Sequence, residues 1–409
     1  MKKNCIVAQS GGPTAAINAS LAGVIDAAIK SRSFDTIYGS INGIQGVLQH
    51  KIIALNDTFA NNERAISTLM TSPAMYLGSC RYKLPDYTVD PAQYDFIFKT
   101  FEQMNIHAFF YIGGNDSMDT VDKLSQYAKK IGYDISIIGI PKTIDNDLME
   151  TDHTPGFGSA AKFVATSLLE IAHDTYIYDV ESVTIVEIMG RDAGWLTAAS
   201  ALARNDYNHA PDLIYLPERD FSTFQFINDL NQLLKTNKNV IVAVSEGIHD
   251  KDGQYISSTQ AAADEFGHAQ LSGTGKALEH LVKSTIGCKV RSIELNVLQR
   301  SAMHISSLTD INEAFSLGNE AVKAAEMGLS SIMLTLNREH NHPYTISIGN
   351  VAVSDVANAA KSVPQNWINE AGNDITDEMI TYLRPLIEGE PHINFKNGIP
   401  DYLSIKHLI

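Results

Sequence analysis

Cysteine is scarce in this sequence: there are three in 409 residues, and Cys5, Cys80 and Cys288 lie far apart. That excludes a disulfide framework or a cysteine-built zinc site and suits a reducing compartment. Long apolar runs are missing as well, and no stretch approaches the roughly 20 residues that span a bilayer. Met1-Lys2-Lys3-Asn4 leads into four apolar residues before Gln9, too short for a secretory signal, so a cytoplasmic setting is expected. Positive charge is the third shortage, with 31 Lys and Arg against 47 Asp and Glu and a net charge of -16. Nucleic acid and anionic membranes are therefore excluded as general partners. A polyanionic substrate would have to be drawn by a local cluster of cations.

What remains is a globular composition, 44% hydrophobic and 19% charged, on a chain too long for one ordinary core. Two domains are expected. Asn4 to Gln9, Ala108 to Ile112, Ile135 to Ile140, Val183 to Ile188, Leu213 to Leu216 and Val240 to Val244 read as buried strands. Between them run helical stripes such as Leu21, Val24, Ile25, Ala28 and Val121, Leu124, Ala128, Ile131. Alternating strands and helices predict an α/β fold with mostly parallel sheets covered by helices on both faces. The stretch from Gly247 to Gly275 reads as a loop beside a site, and the chain turns polar from about Val351.

Two motifs follow strand ends, where open parallel sheets bind ligands. Gly113-Gly114-Asn115-Asp116-Ser117 supplies paired glycines that let backbone amides approach phosphate oxygens, as does Gly11-Gly12-Pro13-Thr14. Pro141-Lys142-Thr143-Ile144-Asp145-Asn146-Asp147 gathers a cation, a hydroxyl and two carboxylates within six residues. Phosphoryl transfer requires such parts: positive charge on the group in flight, a base for the attacking hydroxyl and a carboxylate for Mg²⁺.

These motifs, with Gly78-Ser79-Cys80-Arg81, Thr151-Asp152-His153-Thr154, Met189-Gly190-Arg191, Glu246 and Gln299-Arg300, make the chain resemble the phosphofructokinase family over most of its length. The resemblance implies two Rossmann-like, three-layer domains, both discontinuous, with the active site in the interdomain cleft. The expected division is 1–157 plus about 299–350 for the phosphate donor, and about 158–298 plus 351–409, ending in a helical extension, for the sugar phosphate. A homodimer or homotetramer is expected with it.

Within the family the sequence looks like the pyrophosphate-dependent class. ATP enzymes usually carry Gly where this chain has Asp116, and often Gly where it has Lys142. A carboxylate at 116 would face the α-phosphate of ATP, and like charges about 4 Å apart repel by roughly 1 kcal/mol even in bulk water. Pyrophosphate has no α-phosphate, and Lys142 can offset charge on the leaving phosphate, ordered by a charge pair with Asp116. The implied reaction moves a phosphoryl group from pyrophosphate to the 1-hydroxyl of fructose 6-phosphate, reversibly, with Mg²⁺. ATP as donor is the first alternative. A non-catalytic sugar-phosphate-binding subunit is the second, and it should have lost Asp145.

The resemblance also implies roles. Asp145 would be the general base, against the plain reading of a turn carboxylate. Lys142, Asp116 and Arg191 would share the catalytic charge work. Gly11, Gly12, Gly114 and Ser117 would cradle pyrophosphate, with Arg81 and Lys142 holding it by charge. Thr143, Met189, Gly190, Arg191, Glu246, Arg291 and Arg300 would bind the sugar phosphate, the two last gripping its 6-phosphate. Asp147 and Asn115 would serve the metal, although the family usually has Asp at the second position. Two further departures are Ser182 and Val297, where the family often has Arg and His. The 6-phosphate grip is therefore expected to draw on other cations, from the insert up to Lys276 or from Arg384.

Three local patterns lead elsewhere and fail. Gly273-Thr274-Gly275-Lys276-Ala277 lacks the Ser or Thr of a P-loop. Gly156-Phe157-Gly158-Ser159-Ala160-Ala161 fits a dinucleotide fingerprint but follows Pro155, not a strand, and is expected to open a helix. Glu339-His340-Asn341-His342 reads as a solvated loop rather than a metal site.

Overall fold

A computed structural model describes residues 3–31, 33–257, 259–263 and 269–404. Along the chain the strands are β1 (Lys3–Gln9), β2 (Phe34–Ser40), β3 (Ile52–Ala54), β4 (Ile106–Gly113) and β5 (Ser136–Pro141). Then come β6 (Ser182–Ile188), β7 (Leu213–Tyr215), β8 (Asn239–Ser245), β9 (Thr259–Ala263), β10 (Ala269–Ser272) and β11 (Lys289–Glu294). The last are β12 (Ile332–Asn341), β13 (Tyr344–Ala352), β14 (Phe395–Lys396) and β15 (Ile399–Pro400).

Two principal sheets result. The larger has the order β13-β12-β5-β4-β1-β2-β3, parallel except at its two edges, and the smaller has the parallel order β11-β6-β8-β7. The chain thus builds most of one sheet, crosses to the other, and returns with β12 and β13. The near-continuous apolar runs of β4, β5, β6 and β8 are buried on both faces, as parallel strands under helices must be.

The expected helical stripes form helices Ile17–Lys30 and Asn115–Ile131. Ile131 differs from the rest of its stripe: it is the last helical residue and largely exposed. The pattern from Gly156 opens helix Phe157–Tyr176 as expected, and its N-terminus is filled by Asp310, whose carboxylate accepts from Gly156 N (2.8 Å) and Ser159 N (3.0 Å). A dinucleotide phosphate would need those same amides.

Three expectations are corrected. Val351, Val353 and Val356, and later Ile393, Tyr402 and Leu403, pack with the larger sheet's cores, so only the middle of the C-terminal segment, with Val363, Met379, Tyr382 and Leu386, joins the smaller sheet. Glu339 to His342 belongs to the β12–β13 hairpin. The insert expected as a loop contains the antiparallel pair β9–β10 and the start of helix Thr274–Thr285, while positions 258 and 264–268 lie outside the described residues. No helix among the described residues is long and apolar enough to cross a membrane.

Candidate active site

Register places the predicted motifs side by side. In the larger sheet Gln9 of β1 aligns with Ile112 of β4, and Gly113 aligns with Pro141 of β5. The turns that follow, at Gly11, Gly114 and Lys142, therefore emerge at one edge, about 4.8 Å apart from strand to strand. In the smaller sheet Ile188 of β6 aligns with Ser245 of β8, which sets Met189-Gly190-Arg191 beside Glu246.

The glycine turns of the larger sheet are tightly braced. Gly11 has φ +81°, its carbonyl accepts from the Ser79 hydroxyl (2.7 Å), and a β-carbon there would stand 3.0 Å from Lys142 Nζ. A β-carbon on Gly12 would stand 3.5 Å from Arg300 Nη1. Lys142 N–H donates to Gly113 O (3.0 Å), and Ser117 N–H closes the first helical turn on Gly114 O (3.0 Å). Asp116 lies in that first turn, where its carbonyl accepts from Thr120 Oγ1 (3.2 Å).

The loop after β5 is held in one shape. The Asp145 amide donates to Thr143 Oγ1 (3.1 Å), and the Thr143 hydroxyl reaches Asp145 Oδ2 (3.4 Å). Asn146, between the two carboxylates, adopts φ +55°, and its side chain binds Tyr382 OH (2.9 Å) and Thr154 N (3.1 Å). At the end of the smaller sheet Glu246 Oε1 accepts from Gly190 N (3.3 Å), and Gln299 Oε1 accepts from Met189 N (3.1 Å). Gly247 is obligatory there, because a β-carbon would lie 1.8 Å from the Arg191 carbonyl oxygen.

Charge converges on Asp145. Burial pushes its carboxyl above the ordinary range, opposed by Lys142 and Arg191. Burial and the Asp145 charge raise Asp147 to about 7. Glu246 rises to about 7 by burial, with Asp145 and Glu187 adding to it. Burial lowers Lys142 to about 8 although Asp145 and Asp147 hold its charge in place. Both of these carboxylates belong to the lysine's own loop. Arg300 is lowered by burial and by Arg81, with Asp145 and Glu246 opposing. Four cations, Arg81, Lys142, Arg191 and Arg300, therefore meet Asp145, Asp147 and Glu246 in a chain whose net charge is -16, and Arg191 Nε also pairs with Asp192 (2.8 Å).

Not every expected residue joins this cluster. Arg291 sits mid-strand in β11, opposite Thr184 and five residues before the level of Met189, or about 16 Å at strand rise. It pairs with Asp174 (3.2 Å). Ser182 is buried at the start of β6 and bound by Asn239 Nδ2 (2.9 Å), and Val297 is half exposed. Lys276 pairs with Glu279 (2.7 Å), and Arg384 is exposed after helix Asp377–Leu383. Asn115, expected at the metal, instead donates Nδ2 to Ala359 O (2.6 Å) and accepts on Oδ1 from Asn358 N (2.6 Å). A carboxylate at 115 could accept but could not donate to the 359 carbonyl, which is why an amide fits.

Sequence reasoning gave no role to His153. Buried behind the loop, it bridges Asp152 (Nδ1, 2.7 Å) and Glu313 (Nε2, 2.7 Å), while Arg338 binds Asp152 (2.9 Å) and Lys361 Nζ donates to the carbonyls of Thr151 (3.0 Å) and Asp152 (2.7 Å). Burial alone would push His153 down, but Glu313 and Asp152 outweigh it and raise it to about 9. The Thr151-to-Thr154 motif was the one sequence signal for this network. Its partners at 313, 338 and 361 carry none.

A divalent cation fits the donor set. Asp145 and Asp147 crowd each other in a half-buried loop and offer hard oxygen ligands. Among the described residues no group of three His, Cys, Asp or Glu could hold a metal, so an ion here would rest on one or two carboxylates plus substrate phosphates.

Comparison with known proteins agrees. The family profile described as Phosphofructokinase matches residues 4–325. The chain is 40% identical over 408 residues to a pyrophosphate--fructose 6-phosphate 1-phosphotransferase of Xanthomonas campestris pv. campestris (strain B100), covering 99% of this chain and 96% of that one. It is 38% identical over 406 residues to the same-named protein of Methylococcus capsulatus, covering 98% and 96%. The crystal structure of a pyrophosphate-dependent phosphofructokinase from Nitrosospira multiformis matches with a TM-score of 0.87 at 39% identity, covering 98% and 96%. From its glycine turns to the Gln299-Arg300 pair, the chain belongs to the phosphofructokinase family.

Proposed function

We propose that the protein transfers a phosphoryl group from pyrophosphate to the 1-hydroxyl of fructose 6-phosphate, reversibly, giving fructose 1,6-bisphosphate and phosphate. The observation that carries this reading is the position of Asp145, on which cations from both sheets act: Lys142 from the larger, Arg191 from the smaller. The full-length relatives bear names that state this reaction.

Asp145 accepts the proton of the sugar 1-hydroxyl as that oxygen forms its bond to phosphorus. The bond between that phosphorus and the bridging oxygen breaks, and Lys142 balances the charge gathering on the departing phosphate. Arg191 stabilises charge on the transferring group, Thr143 orients it, and Glu246 accepts from sugar hydroxyls beside Met189 and Gly190. The amides of Gly11, Gly12, Gly114 and Ser117 cradle pyrophosphate with Arg81. Mg²⁺ held by Asp147 and the phosphate oxygens would neutralise charge between the two phosphates. Asp116 excludes ATP by opposing its α-phosphate.

The larger sheet with its returning strands is the donor half and the smaller sheet the sugar half. Arg300 is assigned to the sugar 6-phosphate. Its approach to Gly12 also favours a second reading, in which it touches the phosphoryl group in flight. Arg291, on strand β11, is the second candidate for the 6-phosphate, and the enzyme works as a homodimer or homotetramer in the cytoplasm. The reading is tested by phosphorus NMR of fructose 6-phosphate, pyrophosphate and Mg²⁺ with the protein. Resonances of the 1,6-bisphosphate and phosphate should grow, and Asp145→Ser should abolish them while fructose 6-phosphate still binds. Product formation by Asp145→Ser at about a tenth or more of the wild-type rate would remove the base assignment.

A further inference from the structure

Residues 358–365 run from the larger sheet to the smaller and touch three active-site loops on the way. At the donor end Asn115 grips the segment by both amide atoms, on Ala359 O and Asn358 N (2.6 Å each). In the middle Lys361 N–H donates to Asp147 O (2.7 Å), while its ammonium caps the carbonyls of Thr151 and Asp152 and lies 5.3 Å from the centre of the Trp195 ring. At the sugar end Trp195 Nε1 donates to Lys361 O (3.0 Å), four residues beyond Arg191. Glu218 Oε1 accepts at once from Val363 N and Gly194 N (2.9 Å each).

A segment that is neither helix nor strand until Gln365 is therefore bound by side chains and backbone of all three loops that carry the reacting groups. The links to Asn115, Asp147, Trp195 and Glu218 are directed hydrogen bonds, and the ammonium, capped by two carbonyls, also feels the charges of Asp152 and Asp147 while making no direct ion pair with either. Such an arrangement fixes distances instead of supplying charge to a substrate.

We propose that Asn115 and Lys361 are positioning residues acting through segment 358–365, a splint that sets the Asp145–Asp147 loop against the Arg191 loop. This rests on the functional reading above. The splint contributes to transition-state geometry and leaves ground-state binding of either substrate largely unchanged.

Asn115→Ala and Lys361→Met test it in two ways. In steady-state kinetics each should lower kcat about tenfold or more with both KM values within about threefold, and the double variant should lose less than the product of the single losses. In amide exchange, Asn115→Ala should speed exchange at Lys361, Val363 and Gly194, on the far side of the splint, with helix Leu308–Glu326 unchanged. Unaltered exchange at Val363 and Gly194, or unaltered kcat in a folded variant of either kind, overturns the proposal. The exchange experiment needs no turnover, so an inactive wild type would refute the functional reading while the splint is still decided. Should Lys361→Met fail to fold, Asn115→Ala alone gives both readouts.

Discussion

The ammonium of Lys142 lies 3.0 Å from the point where a β-carbon on Gly11 would stand. Two turns more than a hundred residues apart thus share one small space. Gly11→Ala would both strain a φ of +81° and push the ammonium away. The strain alone costs roughly 1–2 kcal/mol. kcat/KM for pyrophosphate should fall about tenfold or more while the KM for fructose 6-phosphate stays within about twofold. Equal loss on both substrates would place Gly11 outside the donor site.

Lys142 sets an alkaline limit. Burial lowers it to about 8, so above that pH its positive charge is lost. kcat/KM for pyrophosphate should decline as pH rises through about 8. In Lys142→Arg, whose guanidinium stays charged, the decline should move to higher pH. An unshifted alkaline limb in that variant would assign it to another group.

The network behind the loop predicts a pH dependence of stability. His153 holds its proton more tightly in the folded state, at about 9, than the ordinary 6.5. Its contribution is therefore complete below about 6.5 and is lost as pH rises through about 9. The difference in unfolding free energy between wild type and His153→Gln should shrink across that interval by an amount on the order of a few kcal/mol. Denaturant titrations at several pH values measure it. A difference that stays constant would mean His153 is neutral when folded.

Arg300 distinguishes two placements. If its guanidinium serves the sugar 6-phosphate, Arg300→Ala raises the KM for fructose 6-phosphate far more than that for pyrophosphate. If its proximity to Gly12 reflects work on the group in flight, kcat falls instead with both KM values nearly unchanged. A rise in the pyrophosphate KM alone would contradict both.

How much of this was readable beforehand follows from where each signal lies. The strands and turns around Gly11, Gly113 and Lys142 are local patterns of apolar runs ended by glycine or by a charged loop, and parallel register does the rest. Asn146 was half legible, since asparagine tolerates the left-handed backbone better than most residues. Asn115 misled, because its side chain answers backbone atoms 243 and 244 residues away, and no spacing rule reports a bond to a distant peptide group. The same holds for Lys361 and Glu218. The returning tail packs on both sheets in turn, so a change in polarity near Val351 did not mark where it belongs.

Donor choice is expected to turn on Asp116 and Lys142. Steady-state rates with fructose 6-phosphate and Mg²⁺, using pyrophosphate or ATP, should be measured for wild type, Asp116→Gly, Lys142→Gly and the double variant. The account predicts turnover with pyrophosphate and little or none with ATP in the wild type, and ATP use rising from background in Asp116→Gly as the repulsion of the α-phosphate is removed. Lys142→Gly alone should cripple the pyrophosphate reaction without helping ATP. Robust ATP turnover by the wild type, or no gain of ATP use in Asp116→Gly and the double variant, would contradict it.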